Sequence, residues 1–249
     1  MPKKVEVFRL HTSGLLRHGD VFHTIETLKT GGLCVVPSDT SYALAGAPMV
    51  RGVCRDVNLI LSKGDQKIPL AFGTQVMAER YVSFNRRALH LIDQETPGPI
   101  TIVAPMSTRL SVERRQALSR ALNTNNEIGV RFSESIIESR LSSEIDMPLT
   151  TSAILYSNGT AVKNFDDAVE IVQEGMDNRE IHRELVAIRR GSLIRAGELS
   201  TVVEPRPMLR TGDGPSLVIH REGSISEQKL LRSVRALERY SLRDVSEWT

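Results

Sequence analysis

A run of small polar side chains follows an apolar segment in the first fifth of the chain, and such residues can bind a small polar ligand. Residues 33–36 are apolar, and residues 38–41 after them read Ser-Asp-Thr-Ser. Open α/β sheets place ligands where a strand ends. The same residues also suit an ordinary strand-to-turn junction, in which Asp39 and Thr40 cap the next segment. The residue types alone leave both interpretations open.

Two basic residues lie where loops and strand ends bind anions. Lys63 precedes Gly64 in a polar loop, where a lysine can meet a phosphate, although a lysine at a helix end also compensates the helix dipole. Arg131 lies near the end of the predicted strand 127–132 and could hold a phosphate or a carboxylate. A buried arginine otherwise requires a fixed acidic partner.

The spacing of apolar residues predicts the elements that position these side chains. The glycine pair 31–32 ends a helix for which Asp20 is the expected N-cap, and Ser133 is the expected cap of a helix directly after Arg131. Predicted helices cover residues 20–29, 50–62, 75–81, 86–94, 111–122, 166–174 and 227–238, with a loose polar tail from Arg239. Predicted strands cover residues 5–10, 33–36, 69–73, 100–104, 127–132, 185–188, 200–204 and 216–220.

Composition indicates a globular α/β protein and excludes several classes of function. The hydrophobic fraction of 40% and the charged fraction of 25% suit a buried core, and the aromatic fraction of 4% argues against a base-stacking platform. Two cysteines and six scattered histidines form no disulfide framework and no metal-ligand spacing. The N-terminus lacks a signal-peptide pattern, and no segment is apolar enough to span a membrane. We therefore expect a cytoplasmic protein.

Arginine is concentrated in the final third of the chain. The formal net charge of +2 is too small to demand a polyanionic partner, yet eight arginines lie between residues 179 and 221. They could form a surface that faces phosphates. They could equally form a solvated face balanced by neighbouring glutamates, and both interpretations remain open.

Residues 37–44, Pro-Ser-Asp-Thr-Ser-Tyr-Ala-Leu, resemble the Pro-Thr-Asp-Thr-x-Tyr-Gly-Leu signature of the YrdC-like family of threonylcarbamoyl-AMP synthases. Further segments resemble the family in the same order between residues 31 and 225. They are Lys63 with Pro69-Leu70, Pro97-Gly98-Pro99, Ile128-Gly129-Val130-Arg131, Pro148-Leu149 with Ser152-Ala153, Ser200-Thr201-Val202-Val203-Glu204, and Arg221 with Gly223 and Ile225. Their order and spacing together are hard to obtain by chance.

The resemblance implies a fold and a reaction. The fold would be a twisted mixed β-sheet flanked by helices around a deep concave groove, with residues 1–249 as one domain, a core match over 31–225 and a C-terminal helix and tail over 226–249. The reaction would join bicarbonate and L-threonine, or another small amino acid, to the α-phosphorus of ATP and release pyrophosphate. Mg²⁺ would accompany ATP, and the product would serve tRNA modification.

The resemblance also assigns binding residues. The implied reaction needs no nucleophilic side chain and no histidine relay, so the catalytic residues stay unassigned, and no protein metal site is expected. Thr40, Tyr42 and Arg131 would contact the amino acid or a carboxylate. Nucleotide-binding residues would be Lys63, Lys67, Ser152, Ser200 and Arg221.

Three positions depart from the family pattern. Asp65 replaces an arginine, Ile154 replaces an asparagine, and Ala43 replaces a glycine. A buried anion facing a triphosphate costs several kcal/mol, and a lost amide hydrogen bond costs roughly 1 kcal/mol. The alternative function is therefore a non-catalytic or substrate-altered relative that binds nucleotide or RNA through the same groove and the arginine-rich region.

Overall fold

A computed structural model describes residues 5–11, 13–191, 194, 198–207 and 216–246. Strands and helices alternate along much of this chain. The strands are β1 (Glu6–Arg9), β2 (Leu33–Pro37), β3 (Tyr42–Gly46), β4 (Leu70–Ala71), β5 (Ile100–Pro105), β6 (Glu127–Arg131), β7 (Leu149–Thr150), β8 (Ser152–Ala153), β9 (Leu185–Arg189), β10 (Thr201–Pro205) and β11 (Leu217–Arg221). The helices are α1 (His18–Lys29), α2 (Val53–Ile60), α3 (Gln75–Glu79), α4 (Arg86–Glu95), α5 (Val112–Leu122), α6 (Ile136–Ile145), α7 (Phe165–Asp177) and α8 (Glu227–Ser246).

The strands form two mixed sheets. The predicted mixed α/β class is confirmed, and its strands are distributed over two sheets instead of one. One sheet has the order β1-β9-β2-β3-β8, and the other has the order β11-β10-β5-β6-β4-β7. Strand β7 belongs to the second sheet and β8 to the first, with only Thr151 between them. Thr151 therefore lies where the chain passes from one sheet to the other.

Strands β2 and β3 form an antiparallel hairpin whose turn is the polar stretch 38–41. Pro37 pairs with Tyr42, and the Ser38 amide donates to the Ser41 carbonyl across 2.9 Å. Every residue of both strands is buried, because helices cover both faces of this sheet. Strand β3 was not predicted from the sequence.

The two faces of this hairpin contact different apolar cores, as the two-residue period of a strand requires. Val35 and Leu44 belong to the larger core, whereas Val36 and Ala45 belong to the smaller one. The hairpin is thereby fixed on both sides, and its polar turn is held by buried structure.

Several predicted caps and ends differ from the structure. Helix α1 begins at His18, so Asp20 lies in its first turn and is not the N-cap. Ser133 does not cap a helix that begins at once, because α6 begins at Ile136 and the Ser133 hydroxyl accepts the Ser135 amide in a local turn. The prediction of a loose tail from Arg239 is also wrong, since α8 continues to Ser246.

Among the residues that the structure describes, no helix is both long enough and apolar enough to cross a bilayer.

Candidate functional site

A cavity of about 100 Å³ lies between the two sheets and collects most of the residues that the sequence singled out. The turn 38–41, the loop after α2, the ends of β6 and β11, and the β7–β8 junction all contribute to its wall. Seven of the eight predicted binding residues line it, namely Thr40, Lys63, Lys67, Arg131, Ser152, Ser200 and Arg221. These residues are far apart in sequence, so only the pairing of the strands brings them together.

Lys63 projects into the cavity from the loop after α2. Its Nζ donates to the Ser152 hydroxyl at 3.0 Å and to the Ala153 carbonyl at 2.6 Å. Burial and the nearby charge of Arg221 lower the pKa of Lys63 to about 8. Among the residues that the structure describes, no carboxylate forms an ion pair with this ammonium, so its charge is available to an anionic ligand.

Arg131 ends β6 and is buried, with a relative exposure of 4%. Its guanidinium forms an ion pair with Asp39 in the turn of the β2–β3 hairpin. The pairing leaves Arg131 Nε and Asp39 Oδ2 without a hydrogen-bond partner among the residues that the structure covers, and the same holds for the Ser41 hydroxyl. Buried polar atoms are rarely left unsatisfied, so this corner of the site has the character of a polar ligand-binding surface.

Arg221 ends β11 and is held against the start of β10. Its Nε and Nη2 donate to the Ser200 carbonyl at 3.1 and 2.8 Å, and Nη2 also reaches the Ser200 hydroxyl at 3.1 Å. The Ser200 hydroxyl also lies 3.0 Å from that of Thr101. Burial and the charge of Arg131 lower the pKa of Arg221.

The electrostatic character of the cavity follows from these contacts. The Lys63, Arg131 and Arg221 side chains all line it, and none of the described residues on its wall is acidic. The shifts of Lys63 and Arg221 have the same two causes, burial and a neighbouring cation, and both disfavour the charged form. A bound anion would favour the charged forms of Lys63 and Arg221, so the cavity is suited to phosphate or carboxylate groups.

Two hydroxyls that line the cavity are hydrogen-bonded to a buried carboxylate that the sequence reasoning missed. Glu138 of α6 is fully buried and accepts hydrogen bonds from Ser38 Oγ at 2.8 Å and Thr151 Oγ1 at 2.6 Å. A signal was present, because residue 138 shares the inward face of the helix with Leu141, Ser142 and Ile145 at helical spacing. An acid on an apolar helix face requires buried partners.

Tyr42 is the predicted binding residue that does not line the cavity. Its ring packs edge-on against Phe165 at 5.8 Å between centroids, and its hydroxyl accepts the Arg190 amide at 3.2 Å. Adjacent residues of a strand point to opposite faces, and Ala43 is the residue of β3 that lines the cavity. The structure therefore places Tyr42 in the core as support for β3.

Lys67 lines the cavity from a more exposed position. Its side chain is 63% exposed and lies 3.6 Å from Glu127. An exposed pair of this kind contributes little, and Lys67 lies at the entrance, where it can approach a ligand without burial.

The three departures from the family pattern lie in different surroundings. The Asp65 side chain is exposed and not part of the cavity wall, while its carbonyl accepts the Asn123 amide. Ile154 is fully buried in the larger core. Ala43 alone borders the cavity. The reversed charge at position 65 therefore does not oppose an anion in this cavity.

A second hollow of about 470 Å³ adjoins the cavity. The two share Gln66, Lys67, Pro69 and Arg221 in their walls. Its floor is the face of the second sheet, with small and apolar residues from β5, β6 and β10, namely Thr101, Val103, Gly129 and Val202. A ligand with an anionic part and a larger flat part could occupy both hollows.

The arginines of the final third do not form one phosphate-facing surface among the residues described. Arg183 donates to Asp56 at 2.8 Å, Arg189 pairs with Asp166, and Arg206 lies 2.9 Å from Glu204. Arg221 is the member of this group that lines the cavity, while Arg195 and Arg210 lie outside the described residues. Most of the charge here serves intramolecular contacts.

Within the described ranges, no three His, Cys, Asp or Glu residues are grouped in a way that could hold a metal ion. Both cysteines, Cys34 and Cys54, are free and buried, and burial raises the pKa of each thiol. Neither thiol is therefore a nucleophile at neutral pH.

Comparison with known proteins places this geometry in context. A family model for Sua5, YciO and YrdC, described as telomere recombination, matches residues 26–221, which is well over half of the chain. Among curated proteins, none matches the sequence.

Solved structures share the fold at low identity. Sua5 of P. abyssi in complex with L-threonine matches with a TM-score of 0.71 and 16% identity, over 93% of this chain and 61% of that chain. E. coli YciO matches with a TM-score of 0.69 and 20% identity, over 91% and 99% of the two chains. Full-length HypF in its phosphate- and nucleotide-bound form matches with a TM-score of 0.58 and 10% identity, over 82% and 29%. The present chain thus spans about 60% of the length of the Sua5 structure.

Proposed function

Because the chain belongs to the Sua5/YciO/YrdC family, we propose that it is a nucleotide-dependent synthase of an amino-acid carbamoyl adenylate. The simplest product is L-threonylcarbamoyl-AMP, made from ATP, bicarbonate and L-threonine with release of pyrophosphate. Family membership supports a role related to the threonylcarbamoyladenosine modification of tRNA. The L-threonine complex of a Sua5 and the nucleotide-bound form of HypF, two proteins of the same fold, agree with such ligands.

The observation that carries this proposal is the convergence of Lys63, Arg131 and Arg221 on one cavity whose wall, in the described part of the chain, includes no carboxylate. In the proposed reaction the amino nitrogen of threonine is carboxylated by bicarbonate with loss of water, and the new carboxylate attacks the α-phosphorus while pyrophosphate leaves. Negative charge increases on the oxygens of the phosphates, and fixed cations stabilise such charge most effectively in a buried site. The cavity supplies that arrangement before the ligand arrives.

Each residue of the cavity is assigned to one part of the substrates. Lys63 and Arg221 would hold the phosphates, and the adjoining hollow over the second sheet would accept the nucleoside. Arg131 and the unpartnered Ser41 hydroxyl would bind the carboxylate of the amino acid. Mg²⁺ would be bound through the phosphates of ATP, as is usual for that ion, and it would offset their charge.

Pyrophosphate release with purified protein tests the proposal. We expect release only when ATP, bicarbonate and L-threonine are all present. Arg221→Met should lower kcat/KM for ATP at least tenfold, because a charge-assisted contact contributes about 1.5–3 kcal/mol. Arg206→Met is the matched control, since Arg206 pairs with Glu204 outside the cavity, and it should change kcat/KM less than twofold.

Three results would contradict the proposal or redirect it. No pyrophosphate with any amino acid tested would rule out the synthase. ATP binding without turnover would favour the alternative of a non-catalytic relative. RNA affinity with a steep salt dependence would support the RNA-binding form of that alternative.

A further inference from the structure

Glu138 is a buried charge that the proposed reaction does not yet use. Its relative exposure is 0%, and none of the ion pairs in the described part of the chain includes it. Its hydrogen-bond donors are two hydroxyls, Ser38 Oγ and Thr151 Oγ1, one on each carboxylate oxygen. Both hydroxyl residues line the cavity, whereas Glu138 itself lies behind them. A buried carboxylate is costly without a cation, so the arrangement calls for a functional explanation.

The direction of each hydroxyl proton is fixed by this carboxylate. A hydroxyl has one proton and two lone pairs, and an ionised carboxylate can only accept. Ser38 Oγ lies 2.8 Å from Glu138 Oε2, 3.1 Å from Asp39 Oδ1 and 3.3 Å from Ser133 Oγ. Its proton is directed to a carboxylate, and the Ser133 hydroxyl can donate to it. Thr151 Oγ1 lies 2.6 Å from Glu138 Oε1 and directs its proton there. Ser38 Oγ is then left with one lone pair, and Thr151 Oγ1 with two, for a group in the cavity.

The cavity therefore presents two kinds of group to a ligand. Lys63 and Arg221 supply donors and positive charge. Ser38 and Thr151 supply acceptor oxygens, because their protons are directed to the Glu138 carboxylate. An amino acid beside a triphosphate needs this combination, because its amino group must be held by acceptors while phosphates are held by donors.

We infer that Glu138 is a positioning residue which, through Ser38 and Thr151, forms the subsite for the amino group of the amino-acid substrate. The inference rests on the proposed function and names the part of the cavity that selects an amino acid over a simple carboxylic acid. It also orients the amino nitrogen, the atom that is carboxylated in the first half of the reaction.

The test is calorimetric titration of the wild type and Glu138→Gln with L-threonine and with 3-hydroxybutyrate, its counterpart without the amino group. A glutamine can accept from one hydroxyl only, and its amide must donate to the other, whose proton then turns into the cavity. We expect the L-threonine affinity to fall about 10- to 100-fold, as for a lost contact to a charged group. Affinities for 3-hydroxybutyrate and ATP should change less than threefold.

Two control comparisons separate this role from a loss of folding. Glu134→Gln removes an exposed acid near the start of the same helix and should leave every affinity unchanged. If Glu138→Gln does not fold, Thr151→Val and Thr151→Ser replace it. The valine keeps the shape without the hydroxyl and should lose selectivity for L-threonine at least tenfold, whereas the serine should keep it.

The outcomes distinguish the inference from the function on which it rests. Unchanged selectivity in folded Glu138→Gln, or equal selectivity in the valine and serine variants, overturns the subsite while the synthase remains. Wild-type protein that binds ATP but no amino acid overturns the proposed function, and the subsite with it.

Discussion

At the scale of single residues, Lys63 holds its charge in a place where burial opposes it. Its pKa of about 8 in the folded protein lies below the ordinary value of a lysine. In the free protein the charge costs stability, and with a bound phosphate the same charge stabilises the complex. Sites that bind anions tightly commonly accept such a cost.

The pH dependence of stability measures this cost. Below pH 8 Lys63 is protonated in both folded and unfolded chains, and the cost is fully present. Between pH 8 and about 10.4 the folded chain has released the proton while the unfolded chain keeps it, so stability rises with pH. Wild type should therefore gain on the order of 1–3 kcal/mol relative to Lys63→Met across that interval. Urea unfolding at each pH checks it, with Lys67→Met as the exposed control, and a constant difference would contradict the assignment.

Asp65 gives a second residue-scale prediction. The carboxylate is exposed and does not line the cavity, so its charge is screened by solvent. Asp65→Arg should change the affinity for ATP less than threefold in a titration, with Lys63→Met as the positive control. A tenfold gain would mean that the side chain turns toward the phosphates when they bind.

At the scale of elements, the cavity depends on close approach between β11 and the start of β10. Gly223 follows β11, and a Cβ added there would lie 2.0 Å from the Leu199 carbonyl and 2.8 Å from the Ser200 carbonyl carbon. Arg221 is hydrogen-bonded to that same Ser200 carbonyl. Only glycine allows the two backbones to approach so closely, and Arg221 is oriented as a result.

Substitution at Gly223 should therefore damage stability and binding together. We expect Gly223→Ala to lower the free energy of unfolding by about 1–3 kcal/mol through backbone displacement, and to weaken ATP binding because Arg221 moves. Denaturation and titration of the same preparation measure both. Gly19→Ala in α1 is the control, since nothing lies within 4 Å of the added Cβ. Normal ATP affinity in Gly223→Ala would show that Arg221 is positioned independently of β10.

At the scale of the whole molecule, the cavity lies where two sheets meet. Ala43 and Ser152 come from one sheet, whereas Arg131 and Arg221 come from the other. A ligand that contacts both groups must hold the sheets together, since binding to the folded state alone stabilises it.

Thermal unfolding tests this consequence. At an ATP concentration 100 times its Kd, binding contributes about 2.7 kcal/mol, which corresponds to a rise in Tm of about 5–10 °C for a chain of this size. L-Threonine should add a further rise when ATP is present. Lys63→Met should abolish the ATP effect. Unchanged Tm in the wild type at saturating ATP would exclude binding of the nucleotide to the folded protein, whereas an ATP effect that persists in Lys63→Met would place the nucleotide elsewhere.

The sequence by itself determined the fold class, most elements and the family, because apolar periodicity and short motifs are local properties of the chain. It also determined which cations and hydroxyls were candidates. The local sequence pattern did not predict β3, because a strand buried on both faces has no alternation of polar and apolar residues. It also gave the wrong helix start at Ser133, because a serine in a local turn resembles a helix N-cap.

The tertiary structure alone decided how those candidates are arranged. It removed Tyr42 from the cavity, placed Asp65 outside it and set Glu138 behind Ser38 and Thr151. The physical reason is that a side chain's partners are set by strand pairing and helix packing between segments about 100 residues apart, as for Ser38 and Glu138. Residue types can show that an anion could be bound here, whereas only the packed chain brings Lys63, Arg131 and Arg221 to one cavity and sets two hydroxyls beside them.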